Sequence, residues 1–198
     1  ISGFDIRYHI PVFRKSVFAN RGYLHASFGR DRILYHVGGT ENWLLPKHEL
    51  QNPLETSGHY AYTALITEVR SYGYGARKAG SVAGFSSELR IPFLQYILNQ
   101  NWKNSVLRNF QFILFLDAAT VWDGLIPEPG KSSTLDYYAE NPVVKVNLQY
   151  TRNPYIAGTG MGLRTALFGY FIRYDRAWSL DPKQDRKATN SISLGLDF

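Results

Sequence analysis

Apolar and polar side chains alternate with a period of two through most of this chain, which leaves little from which a helix could be built. Residues 4–10 put Phe4, Ile6, Tyr8 and Ile10 on one side and Asp5, Arg7 and His9 on the other. That is the side-chain geometry of a strand with one apolar face. Residues 86–93 oppose Leu89, Ile91 and Phe93 to Glu88 and Arg90. In residues 111–122, Phe112, Leu114 and Leu116 point one way and Ile113, Phe115 and Asp117 the other. Val144, Val146, Leu148 and Tyr150 alternate with Lys145, Asn147, Gln149 and Thr151. Residues 17–29, 156–168 (glycine-rich), 170–178 and 191–198 complete a set of seven or eight strands. No segment supports an amphipathic helix longer than two turns, so the expected class is all-β and antiparallel.

Alternation alone leaves two architectures standing. A soluble sandwich or barrel buries the apolar face. A transmembrane barrel turns that face to lipid, keeps polar residues in the lumen and places aromatics where strands leave the membrane. A strand needs about 9–11 residues to cross hydrocarbon, and residues 111–122 are long enough. Trp43, Tyr96, Trp102, Trp122 and Trp178 fall near strand ends. The polar side of the pattern carries Glu88, Arg90, Asp117, Arg164, Arg173 and Asp175, a heavy load for a dry core and an ordinary one for a wet lumen.

Composition closes off several functions. The chain has 22 Lys+Arg against 16 Asp+Glu, a net charge of +6, yet charged residues are only 19% and are scattered among 15% aromatics. A massed basic face of the kind that binds nucleic acid is missing from the pattern. With no cysteine, disulfides, thiolate metal sites and cysteine nucleophiles are excluded. No run reaches the 18 apolar residues of a transmembrane helix. The first residues, Ile1-Ser2-Gly3-Phe4-Asp5, contain neither an initiator Met nor a basic n-region, which suggests a mature chain or a piece of a longer one. His9, His25, His36, His48 and His59 lack HExxH or His-x-His spacing, and there is no Gly-X-Ser-X-Gly elbow. The Gly38-Gly39-Thr40 and Gly73-Tyr74-Gly75 segments lack the Gly-Lys-Ser/Thr phosphate cradle and have no helix following, and no cofactor or metal is expected.

The connections differ in kind. Residues 34–82 read as one long loop with little strand pattern, and its aromatics and paired glycines suggest packed order rather than disorder. Residues 123–141, rich in Pro, Gly and Ser, read as a second long loop. The other links are expected to be short.

From Gly38 onward the chain resembles the last part of the bacterial surface antigen barrel. That is the sixteen-stranded pore of the outer-membrane protein assembly factor and of its secretion and autotransporter-assembly relatives. The family's Val-Arg-Gly-Phe/Tyr loop is matched by Val69-Arg70-Ser71-Tyr72, with Gly73, Gly75 and Gly80 following. Its Glu before a Leu/Phe-X-X-Pro pattern is matched by Glu88-Leu89-Arg90-Ile91-Pro92. Its Phe-X-Asp-X-Gly-X-Val-Trp strand is matched by Phe115-Leu116-Asp117-Ala118-Ala119-Thr120-Val121-Trp122, and the chain ends on the aromatic Phe198. Ser71 and Ala119 replace family glycines, Ser193 stands where the terminal signal often has Gly, and residues 38–43 are an unusual lead-in. These departures mark a divergent branch.

The resemblance implies a lock: Arg70 at a loop tip folded into the lumen, paired with Glu88 and Asp117 on adjacent strands, with Tyr72 and Phe115 packed around it. The chemistry is sound without the family, because a planar, permanently charged guanidinium can hold two carboxylates in fixed geometry. The same pairing makes Glu88 and Asp117 poor candidates for a hydrolase pair, since the arginine would keep both ionised.

The expectation is therefore a transmembrane antiparallel β-barrel in the outer membrane of a Gram-negative bacterium. Residues 1–198 would be its C-terminal strands, with residues 34–82 an extracellular loop folding into the lumen and 123–141 a second long loop. Residues 190–198, with Leu196 and Phe198 as assembly signal, would form one side of the seam. The expected role is non-enzymatic: assisting insertion, assembly or translocation of envelope proteins. The alternatives are a passive barrel anchoring a surface or periplasmic complex, and part of an outer-membrane hydrolase. The partners expected are outer-membrane lipid and lipopolysaccharide, the remaining N-terminal barrel strands, and substrate envelope proteins or accessory lipoproteins, with no nucleic acid.

Overall fold

In the computed structural model, residues 1–13, 15–29, 32–48, 60–98, 105–127, 133–140, 145–167, 169–181 and 187–196 are described. The described residues are mostly β, with two short helices. Its frame is a seven-stranded antiparallel sheet made of β1 (Ser2–Pro11), β2 (Val17–Ala26), β6 (Ser81–Ile91), β7 (Gln111–Trp122), β10 (Tyr155–Leu167), β11 (Tyr170–Ser179) and β12 (Thr189–Leu196), paired in that order. Strands of 10 to 13 residues make up most of it. The sheet is a meander with two excursions, so sequence neighbours pair once those are set aside.

The first excursion leaves β2 and holds β3 (Arg32–Val37), β4 (Tyr60–Ile66) and β5 (Arg77–Ala79), with β3 parallel to β4 and antiparallel to β5. The stretch read from the sequence as a loop therefore contains a small sheet of its own. Its strands escaped the period-two test because β5 is the polar triplet Arg77-Lys78-Ala79, buried along its whole length, and β3 is buried at both Leu34 and Tyr35. The second excursion is the hairpin of β8 (Ser133–Glu140) and β9 (Lys145–Arg152), so the later part of the second expected loop is also a strand. Residues 92–110 depart from the short-link expectation too, carrying α1 (Phe93–Leu98) and α2 (Ser105–Arg108).

The links gather by rim. At one rim the chain passes from β2 to β6, from β7 to β10 and from β11 to β12. The opposite rim carries residues 12–16, 92–110 and 168–169.

The two faces of the sheet reverse the usual arrangement. On β7, Ile113, Phe115, Asp117, Ala119 and Val121 are buried, while Leu114 and Leu116 are 41% and 44% exposed. The same parity runs outward across the sheet through Phe4, Ile6, Leu24, Phe85, Met161, Leu163, Ile192 and Leu194, all exposed. The inner face is covered by the first excursion. Val37, Val69, Tyr72, Ala76 and Ala79 from that segment pack on Tyr23, Val82, Ala119, Val121 and Ile156 of the sheet. This main core thus lies between the excursion and the inner face, and the outer apolar side chains belong to no core.

β10 explains its glycines through this packing. Gly158, Gly160 and Gly162 share inner-face parity and pair with Asp117, Phe115 and Ile113. A methyl group on Gly158 would run into Ser71, on Gly160 into the Phe115 ring, and on Gly162 into the Asp175 carboxylate. The glycine stripe is the space in which neighbouring side chains lie flat.

Candidate functional site: an arginine lock on the inner face

Residues 67–76 lead from β4 across the inner face to β5, and Arg70 is the point where this crossing meets the sheet. The Tyr72 N–H donates to Val69 O at 3.3 Å, closing a tight turn with Arg70 and Ser71 at its apex. Arg70 is 4% exposed. Its Nε and Nη2 donate to Asp117 Oδ2 and Oδ1, each at 2.7 Å, a two-pronged pairing. Its Nη1 donates to Glu88 Oε1 at 2.6 Å. The guanidinium carbon lies 3.6 Å from the centroid of the Phe115 ring, within range of a cation–π contact. Glu88 on β6 pairs with Phe115 on β7, and Ser86 with Asp117. Four side chains on two neighbouring strands therefore converge because their parity and register require it.

The structure brings Arg70, Glu88, Asp117 and Phe115 together. Tyr72 sits elsewhere: it is buried in the main core, and its hydroxyl lies 2.7 Å from Ser179 Oγ at the end of β11. It tethers the same turn to a different strand. Of the two terminal residues, Leu196 pairs through its backbone with Tyr170 at the end of β12, and Phe198 lies outside the described residues. Trp43 also departs from expectation. Instead of marking a rim, it is buried and meets Tyr74 edge-on with centroids 5.7 Å apart. Trp102 lies outside the described residues.

Several partners were not singled out for the lock by sequence. Ser86 donates its hydroxyl to Asp117 Oδ1 at 2.7 Å and accepts from Arg70 Nη2 at 3.4 Å. Arg173 reaches Glu88 at 2.8 Å and Asp175 at 2.6 Å, and Arg90 reaches Glu88 at 2.9 Å. Parity is the signal that carried them, since Ser86, Glu88 and Arg90 share one face of β6. Ser71, where a glycine was anticipated, needs no left-handed backbone, because Asn42 is the one non-glycine with positive φ among the described residues. Its side chain sits over Gly158.

Electrostatics keep Arg70 charged. Burial alone would disfavour the Arg70 cation, but the Asp117 and Glu88 carboxylates outweigh it and lift its pKa above the ordinary arginine value. At Glu68, burial prevails over its partner Arg21 and raises the carboxyl above its usual range. Beside the lock opens a cavity of about 370 Å3 lined by Arg7, Arg21, Arg90, Arg164, Arg173, Glu41, Glu68 and Glu88. It is crossed by ion pairs, Arg21 with Asp5 at 2.6 Å among them. Such a cavity is polar, and with Arg70 also on its wall its arginines outnumber its glutamates.

No protein-family model matches the chain, and no match is found among the curated proteins or the solved structures. What fold and site define is an all-β chain whose sheet has an exposed apolar face and a charged inner face covered by its own inserted segment.

Proposed function

We propose that this chain forms the C-terminal strands of an outer-membrane β-barrel of the surface-antigen type, assisting the insertion, assembly or translocation of envelope proteins. One observation carries the reading: large apolar side chains are exposed on one face of all seven paired strands, while the other face buries Asp117, Glu88 and Asp175 beside its apolar core. A contiguous apolar surface of this extent calls for lipid or a partner. A wet lumen accommodates ion pairs that a dry core would penalise. Among the described residues no further strand of the main sheet pairs with the outer edge of β1 or of β12; in lipid an unclosed edge is costly, so closure would call for strands beyond these seven. Aromatics support the same placement. Trp122, Tyr155 and Trp178 sit at the long-link rim, and Phe13, Phe93 and Tyr170 near the other.

In this reading the inserted segment lies in the lumen, and Arg70 fixes it to the wall through Asp117 and Glu88. The seam strand β12 offers its edge to an incoming strand by β-augmentation. The test is Arg70→Ala in the full-length protein, reading heat-modifiable migration of the barrel and the level of assembled envelope proteins. The expected result is loss of the compact form together with reduced assembly. Compact migration lost with assembly intact favours the passive anchor. No change in either measurement contradicts the lock.

A further inference from the structure

The segment leading out of β3 does something that its sequence, Gly38-Gly39-Thr40-Glu41-Asn42-Trp43-Leu44-Leu45, does not advertise. Trp43 forms an antiparallel bridge with Ser193 of β12. The Leu44 N–H donates to Ile192 O at 2.9 Å, and the Leu194 N–H donates to Asn42 O at 3.3 Å. Thr40 Oγ1 donates to Ser191 Oγ at 3.1 Å. All of these reach the side of β12 away from β11, where Ile192 and Leu194 have no strand of the main sheet to pair with.

The backbone is shaped for this path. Gly38, Gly39 and Asn42 have φ of 120°, 97° and 51°, the left-handed region in which glycine, and asparagine next, sit most easily. Gly39 lies against the Tyr74 ring so closely that a side chain there would meet it. Tyr74 then holds both ends of the segment, its hydroxyl donating to Thr40 O at 2.7 Å and its N–H to Lys47 O at 2.8 Å. The segment is also tied to the lock. The Gly39 N–H donates to Val69 O at 3.1 Å, and Thr189 Oγ1 donates to Ser71 O at 3.1 Å. Arg70 stands between those two tethers.

We propose that residues 40–45 are an internal strap occupying the middle of the open β12 edge, that a strand adding to this edge must displace it, and that the Arg70 turn sets how firmly it is held. This rests on the reading of β12 as a seam strand, and adds that the seam is occupied in cis. The strap is built to leave. It makes two backbone bonds to β12, and Leu44 and Leu45 are largely exposed. It leaves Asn190 and Leu196, on either side of the bridge, for an incoming strand to begin on.

The cysteine-free chain allows a direct test in the full-length protein purified in detergent. Thr40→Cys with Ser191→Cys replaces two hydroxyls already in contact, and oxidation should join them. The probe is a fluorescent synthetic peptide of residues 2–11, an alternating strand of the same sheet. The oxidised protein should bind it roughly tenfold more weakly than the reduced form. Leu44→Pro, which deletes the N–H bonded to Ile192, should bind it roughly tenfold more tightly than the unmodified protein. Arg70→Lys should slow cross-linking. Absence of cross-linking in a folded double variant overturns the proposal. So does equal peptide binding by the oxidised and reduced forms, or a lack of binding by every variant including Leu44→Pro. If cross-linking gates the peptide while envelope-protein assembly never depends on the protein, the strap stands and the assembly role falls.

Discussion

Arg70 donates from Nε and Nη2 to one carboxylate and from Nη1 to another, while its face rests on Phe115. Lysine offers a single ammonium point and cannot reproduce the fork. Asp117, fully buried, would leave that cation half unpaired if removed. Breaking a buried pair from one side costs about 3–5 kcal/mol. Asp117→Ala should therefore lower thermal stability more than Glu88→Gln, whose neighbours Arg90 and Arg173 lie nearer the cavity, as a melt followed by circular dichroism would show.

A second residue-scale prediction concerns His36 on β3. Burial, reinforced by Lys78, holds its pKa below the ordinary value of 6.5. The folded state thus prefers the neutral ring. Stability from this group is full above pH 6.5 and is lost as pH falls from there toward the folded-state pKa, because the unfolded chain takes up the proton first. His36→Gln should flatten that part of the pH–stability curve. A steeper loss of stability in the variant would contradict the assignment.

At the scale of elements, strands such as β1, β6 and β12 are legible because polar or small residues alternate with apolar ones, and parity is what a strand displays in sequence. The lock was legible because its residues lie on two such strands and one glycine-rich turn in a recognisable order. The small sheet of the first excursion was not, since β5 is three residues long and buried whatever its chemistry. The strap was illegible for a different reason: a single bridge has no periodicity, and Trp43 looked like a rim aromatic until its contact with Tyr74 placed it inside. The glycine stripe of β10 sits between these cases, visible as composition but explained only by what lies across it. That explanation predicts a coupling. Gly158→Ala should destabilise the protein by collision with Ser71, and Ser71→Gly should recover part of the loss. A double-mutant cycle in chemical denaturation would detect the interaction, and additive effects would refute it.

At the scale of the molecule, the two faces of the sheet are the ground on which the proposed membrane placement rests. A soluble sheet of this pattern would cover Leu114 and Leu116 and wet Asp117. Here Asp117 is enclosed, and the leucines face outward in register with an apolar surface that spans all seven strands. The proposed placement, with lipid on one side and a lumen holding the inserted segment on the other, would account for both faces together.

The most direct test of that claim is a single-cysteine scan along β7, in a chain whose 198 residues contain no cysteine. Residues 113–119 would be replaced one at a time, labelled with an environment-sensitive fluorophore and reconstituted in bilayers containing brominated lipid. The account predicts quenching that alternates with a period of two, strong at Leu114, Leu116 and Ala118 and weak at Ile113, Phe115, Asp117 and Ala119. Quenching without alternation, or outward positions that react freely with a water-soluble thiol reagent in the membrane, would contradict it.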